Sequence, residues 1–254
     1  MPVLDRDGVR IHYEAEGAGS PILLTHGYGA SARMWDGQVA HLRDRHRVIT
    51  WDMRGHARSD SPADQALYSE EATVGDMAAI LDAEGVDSAI IGGLSLGGYM
   101  SLAFHLRHPE RVRALMLFDT GPGFRKDEAR EAWNERVAGR AARIEAEGLA
   151  GLGGSREVVG SEHREPLGLA RAARGMMAQA DSRVFESLAT IPVPTLVLVG
   201  EEDHGFRDAA SYMARKIPNA RLEIIPGAGH AANLDRPAEF DAALDAFLSV
   251  LNAA

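Results

Sequence analysis

The chain of 254 residues contains no cysteine. Disulfides and thiolate metal sites are therefore excluded. Positive charge is also short: the formal charge is −10, and the basic residues are nearly all arginine and interspersed with acids. A surface for nucleic acid needs clustered positive charge to meet phosphates, so no nucleic-acid partner is expected. No apolar run approaches the length of a membrane span, and the start, Met1 to Arg6, lacks the apolar core of a secretory signal. The expectation is a soluble cytoplasmic protein with no membrane span. Internal repeats of short period are missing too. What remains fits one large α/β domain, or one domain with an insertion.

Alternation of apolar and polar residues over Val9 to Tyr13, bracketed by Gly8 and Gly17 to Gly19, predicts a half-exposed strand after a short first one at Val3 to Asp5. Together they read as an antiparallel edge hairpin. Beyond it the pattern changes to continuous apolar runs: Ile22 to Thr25, Val48 to Trp51, Ala89 to Gly92, Ala114 to Phe118, Thr195 to Val199 and Leu222 to Ile225. Strands buried on both faces read this way, so a mostly parallel eight-stranded sheet with helices on both faces is expected. The helix candidates are Met34 to Leu42, Glu70 to Glu84, Gly98 to His108, Phe206 to Lys216 and Ala238 to Leu251.

Between Thr120 and Ala189 the alternation breaks. This stretch is rich in Ala, Arg and Glu, carries no strand signal, and is too long for a loop in a compact domain. Residues 123–187 are expected to form an inserted helical lid, leaving 1–122 and 188–254 as the core. The mixed-charge run Arg125 to Arg143 reads as a solvated helix face. Trp133, Met176 and Met177 are candidates to face a pocket, against the plainer reading of core packing.

The segment Gly93-Leu94-Ser95-Leu96-Gly97 lies where an apolar run passes into a helix. A turn this sharp strains the serine backbone and leaves no room for a Cβ two residues to either side. It would lift the Ser95 hydroxyl into the open beside the free N–H groups of a helix start. A serine is a poor nucleophile until a histidine takes its proton and a carboxylate fixes that histidine. Asp203 follows the run Thr195 to Val199, and His230 follows Leu222 to Ile225; functional groups in parallel sheets gather at these carboxyl ends. Ser95, Asp203 and His230 in that order are the expected catalytic set. The second backbone donor for an oxyanion, beside Leu96 N–H, is expected from Tyr28 N–H in His26-Gly27-Tyr28-Gly29. His26, Leu94 and Phe206 complete the pocket candidates. Asp119, after Phe118, is an alternative acid, otherwise a cap or loop anchor. His105 and His108 share a helix face without a carboxylate at ligand spacing, so no metal site is expected. They read as favourable charges near a helix C-terminus.

With these motifs in place, the chain resembles an α/β-hydrolase-fold serine hydrolase over nearly its full length, of the branch holding small carboxylesterases, enol-lactone hydrolases and carbon–carbon bond hydrolases. Carrying the resemblance are His26 to Gly29, Asp52 to Asp60, Gly93 to Gly98, His108-Pro109-Glu110-Arg111-Val112, Gly200 to Asp203, and Gly229-His230 with Pro237. Ala57, His204 and Asp235 depart from the family pattern of glycine, proline and glutamate. The resemblance implies a cofactor-independent hydrolase of a small, largely apolar ester or lactone. Carbon–carbon cleavage, thioester hydrolysis, perhydrolysis and a non-catalytic small-ligand receptor stay open as alternatives. A dinucleotide-binding reading of Gly27 to Ala32, with Asp52 on the ribose, is the rival from another class.

Overall fold

The computed structural model describes residues 3–252; Met1 and Pro2, part of the N-terminal stretch read above, and Ala253 and Ala254 lie outside them. Its strands are β1 (Val3–Arg6), β2 (Val9–Glu16), β3 (Ser20–Thr25), β4 (His46–Trp51), β5 (Ala89–Leu94), β6 (Val112–Phe118), β7 (Thr195–Gly200) and β8 (Ala220–Ile225). They form one sheet in the order β1-β2-β4-β3-β5-β6-β7-β8. The first hairpin turns at Asp7 and Gly8, both at positive φ (55° and 81°), the backbone that an Asp-Gly pair tolerates and that matches strand twist. β2 pairs antiparallel with β4, and every pairing from β4 to β8 is parallel.

The helices are α1 (Asp36–Leu42), α2 (Glu70–Ala83), α3 (Leu96–Arg107), α4 (Asp127–Glu147), α5 (Pro166–Ala172), α6 (Arg183–Ser187), α7 (Arg207–Lys216), α8 (Ala232–Asp235) and α9 (Pro237–Asn252). A short 3-10 turn, Ala32–Trp35, leads into α1, and α2 starts on Ser69, whose hydroxyl accepts the Ala72 N–H at 3.0 Å. Alternate residues of each central strand feed two cores. Leu23, Ile49, Ile91, Leu115 and Val197 meet α2 and α3 through Met77, Ile80 and Phe104. Ile22, Val48, Ile90, Met116 and Leu196 meet α1 and α9 through Trp35, Leu42, Phe240 and Leu244. Burial on both faces is what the continuous apolar runs encode.

No strand occurs between β6 and β7 among the described residues; α4, α5, a π-helical turn at Ala173–Met177, and α6 fill the interval. Of the 21 residues of α4 only Val137, Ala141 and Ile144 are buried, so its charged face is solvated as expected. Close backbone approaches seat this segment on the sheet core. A Cβ on Gly55, which sits at φ 78°, would lie 2.5 Å from Gly168 O, and one on Gly175 would lie 1.8 Å from Tyr68 O. The Tyr28 hydroxyl donates to Leu169 O at 2.8 Å.

His105 departs from its sequence reading. It is 5 % exposed, neither ring nitrogen has a partner, and burial lowers its pKa, so it is a neutral core residue rather than a charge near a helix end. His108 is half-buried against the Phe104 ring.

Candidate active site

β5 ends in a forced turn. Ser95 has φ 56° and ψ −115°, a conformation that costs an L-residue free energy and persists only where its surroundings fix it. Those surroundings are tight: a Cβ on Gly93 would stand 2.4 Å from Gly97 C, and one on Gly97 2.2 Å from Thr25 O. The Ser95 N–H continues the β5–β6 ladder to Phe118 O at 2.9 Å, and the Thr120 hydroxyl donates to Ser95 O at 2.6 Å. The serine side chain stays accessible. Its hydroxyl makes no hydrogen bond among the described residues.

Ser95 lies on the wall of a cavity of about 150 Å³. Leu96, Trp133, Met177 and Phe206 line it with Ser95, joined by Tyr99, the run Thr120 to Phe124, Gln179, Gly205 and Ala209. No lining residue is charged. Phe206 stacks on the His230 ring, with centroids 5.1 Å apart and planes at 23°, and so ties the histidine to the same cavity. His230 Nδ1 donates to Asp203 Oδ2 at 2.8 Å. Burial lowers the His230 pKa, but the Asp203 hydrogen bond and charge oppose it and the net position is above the ordinary histidine value. With Nδ1–H fixed on Asp203, the lone pair of the neutral ring is on Nε2.

Asp119 is not the imidazole's partner. Its Oδ1 accepts the Gly200 N–H at 2.8 Å and its Oδ2 the Ala232 N–H at 3.4 Å, so it ties the loops that carry Asp203 and His230. Burial raises its pKa to about 8 against the pull of these donors. Asp235, one of the departures from the family pattern, accepts the Gly229 N–H at 2.8 Å and pairs with Arg156 at 3.1 Å. His204 is exposed.

Three pocket candidates turn into the core instead. His26 is fully buried; its Nε2 accepts the Met53 N–H at 3.0 Å, which leaves Nδ1–H to donate to Gly27 O at 2.7 Å, and burial drives its pKa down to about 4. Leu94 packs in the core of the α1 and α9 face, and Met176 in the opposite one, both with no exposed surface. The Tyr28 ring is buried, and its N–H and that of Leu96 have no acceptor among the described residues. A Cβ on Gly27 would lie 3.5 Å from the Ser95 Cβ, so this loop runs beside the serine.

A second imidazole group lies behind that loop. His56 sits 5.0 Å from His26 and 5.8 Å from His163, ring to ring. His163 Nδ1 accepts the Ala57 N–H at 3.1 Å and its Nε2–H donates to Gly29 O at 2.7 Å, joining the helical segment to the two core loops. Ala57 adopts φ 39°, a left-handed backbone that explains glycine as the usual family residue. Asp52 is spent nearby: it accepts the Ala32 N–H at 2.7 Å and the Arg58 Nε–H at 3.1 Å. Both Asp52 oxygens are thus engaged, and the dinucleotide reading loses the carboxylate it placed on the ribose.

Thr120 and Gly121 were open to prediction by the same rule that placed Asp203, since they follow a strand end. Gln179 carries no such signal. It sits in irregular chain after the π-helical turn.

The family model described as alpha/beta hydrolase fold matches residues 20–155. The chain belongs to the α/β-hydrolase family. It is 30 % identical to 3-oxoadipate enol-lactonase 1 of Acinetobacter baylyi over 86 % of this chain and 85 % of that protein. It is also 30 % identical to a 2-hydroxymuconate semialdehyde hydrolase of Pseudomonas putida, over 97 % of this chain and 93 % of that one. Among solved structures, a thermophilic esterase of Thermogutta terrifontis superposes with a TM-score of 0.80 at 29 % identity, covering 98 % of this chain and 97 % of that chain. No helix among the described residues is long and apolar enough to cross a membrane.

Proposed function

We propose that this protein is a serine hydrolase of small, uncharged, largely apolar carboxylic esters or lactones, working through an acyl-enzyme. The observation that carries the reading is one cavity with an unspent serine hydroxyl, no charged lining residue, and an Asp203–His230 pair stacked against its wall residue Phe206. A cavity of about 150 Å³ is of the size that holds a benzene-like group. A substrate carboxylate would need a compensating cation there, because an unpaired charge is costly out of water.

In this mechanism His230 Nε2 takes the Ser95 proton as Oγ attacks the carbonyl, and Asp203 balances the imidazolium. The Tyr28 and Leu96 N–H groups, free of other acceptors, hold the oxyanion. His230 then protonates the leaving oxygen, and deprotonates the water that hydrolyses the acyl-enzyme. Catalytic hydrogen bonds in ligand-free sites are often long and tighten when substrate arrives. The segment 123–187 acts as the lid: Trp133, Met177 and Gln179 come from it and close one side of the cavity.

The test is a panel of p-nitrophenyl esters of increasing chain length beside simple lactones, with Ser95→Ala and a phosphonate label as controls. Short uncharged esters are expected to turn over, dicarboxylate half-esters to fail, and the label to attach at Ser95. Full activity in a folded Ser95→Ala protein would end the proposal.

A further inference from the structure

Nearly every polar group on the cavity wall is already committed to the protein. The Thr120 hydroxyl donates to Ser95 O at 2.6 Å, the Tyr99 hydroxyl to Glu70 at 2.8 Å, and Trp133 Nε1–H to Met177 O at 2.7 Å. Gln179 Oε1 accepts the Phe124 N–H at 3.0 Å. Apart from the Ser95 hydroxyl, the side-chain donor left over is the Gln179 amide nitrogen. Nε2 has no partner among the described residues, and it is not one of the sealed polar atoms, so it keeps access to the cavity that Gln179 lines.

This side chain is held, not loose. The Gln179 backbone exchanges two hydrogen bonds with the Asn134 amide, at 2.9 and 3.0 Å, and the residue is 8 % exposed. Because the Phe124 N–H needs an acceptor, Oε1 must face it and Nε2 must be the free end. Gly123 makes room: it sits at φ 84°, and a Cβ there would come within 2.7 Å of Oε1. A fixed donor in an otherwise apolar wall selects a partner oxygen, since leaving it unpaired against a bound ligand costs free energy.

We propose that Gln179 is a specificity-determining residue whose Nε2–H binds an uncharged acceptor oxygen, such as an ether, ketone or ring oxygen, in the acyl part of the substrate beyond the scissile carbonyl. This rests on the hydrolase reading above. The test compares two isosteric esters, p-nitrophenyl 3-methoxypropanoate and p-nitrophenyl pentanoate, by the ratio of their kcat/KM values. Dividing the wild-type ratio by the variant ratio removes the intrinsic reactivity of the esters. In Gln179→Leu the ratio should fall about tenfold, the worth of one neutral hydrogen bond. Gln179→Met keeps the side-chain length and a weak acceptor for the Phe124 N–H but presents no donor, and its ratio should fall as far; it carries the test if the leucine variant does not fold. Ser95-dependent turnover with ratios unchanged within about twofold in the folded variants would overturn this inference alone. Absence of Ser95-dependent turnover on both esters would overturn the hydrolase reading with it.

Discussion

Burial acts on two groups of imidazoles in this protein and leaves them in opposite states. His26, His56 and His163 form a cluster of tilted and edge-on rings in which every ring nitrogen but His56 Nε2 bonds to a backbone group, and burial lowers the pKa of each. His230 also loses hydration, yet its pKa is raised, because Asp203 stands 2.8 Å from Nδ1. The difference teaches that depth alone does not make a histidine a base or a strut. A carboxylate in direct contact outweighs desolvation, whereas backbone carbonyls and a neighbouring imidazole do not. The first group fastens loops in one tautomer; the second is set to gain and lose a proton.

The largest expected effect tests the active group. Ser95→Ala should cut kcat on a short ester by about a million-fold, down to what binding and the oxyanion donors retain. Asp203→Asn should cost about 10,000-fold, through the wrong tautomer and the lost counter-charge. If Asp119→Asn were the more damaging of the two, the contrast drawn from the Asp203 contact would break.

Acidity should sharpen the same contrast. A raised His230 pKa means that the base is protonated, and activity lost, as pH falls through a value above the ordinary 6.5 of histidine. A kcat/KM profile with its acidic limb below that value would contradict the pairing. The buried cluster acts on stability instead. Its folded pKa values lie below the unfolded ones, so its contribution is present above pH 6.5 and fades as pH falls toward the His26 value of about 4. Each such histidine steepens the stability slope below pH 6.5 by about 1.4 kcal/mol per pH unit, measurable in urea titrations. A folded His56→Gln protein should be shallower by roughly one proton. Smallest is His163→Ala, which removes two hydrogen bonds between the helical segment and the core loops. A loss of about 1–2 kcal/mol, seen as a Tm lower by several degrees, is expected.

Much of the frame was legible because it rests on period and punctuation. Each of the eight apolar or alternating runs is a strand, and the helix candidates overlap α1, α2, α3, α7 and α9. The elbow, Asp203 and His230 were legible because strand ends lie where apolar runs stop. Which side chains of residues 123–187 face the cavity was not. Met176 is core and Met177 is wall, and the π-helical turn at Ala173–Met177 that holds them departs from the 3.6-residue period on which a face is read. His26 misled for another reason: what claims its ring is the Met53 N–H, a partner distant in sequence that no local pattern announces.

Gly55 and Gly168 meet almost backbone to backbone. Since α5 packs on α4, which carries Trp133, a methyl group at either glycine would push on the segment that supplies part of the cavity wall. Neither glycine lines the cavity, so a designer wishing to change its height has a shim to insert away from its wall.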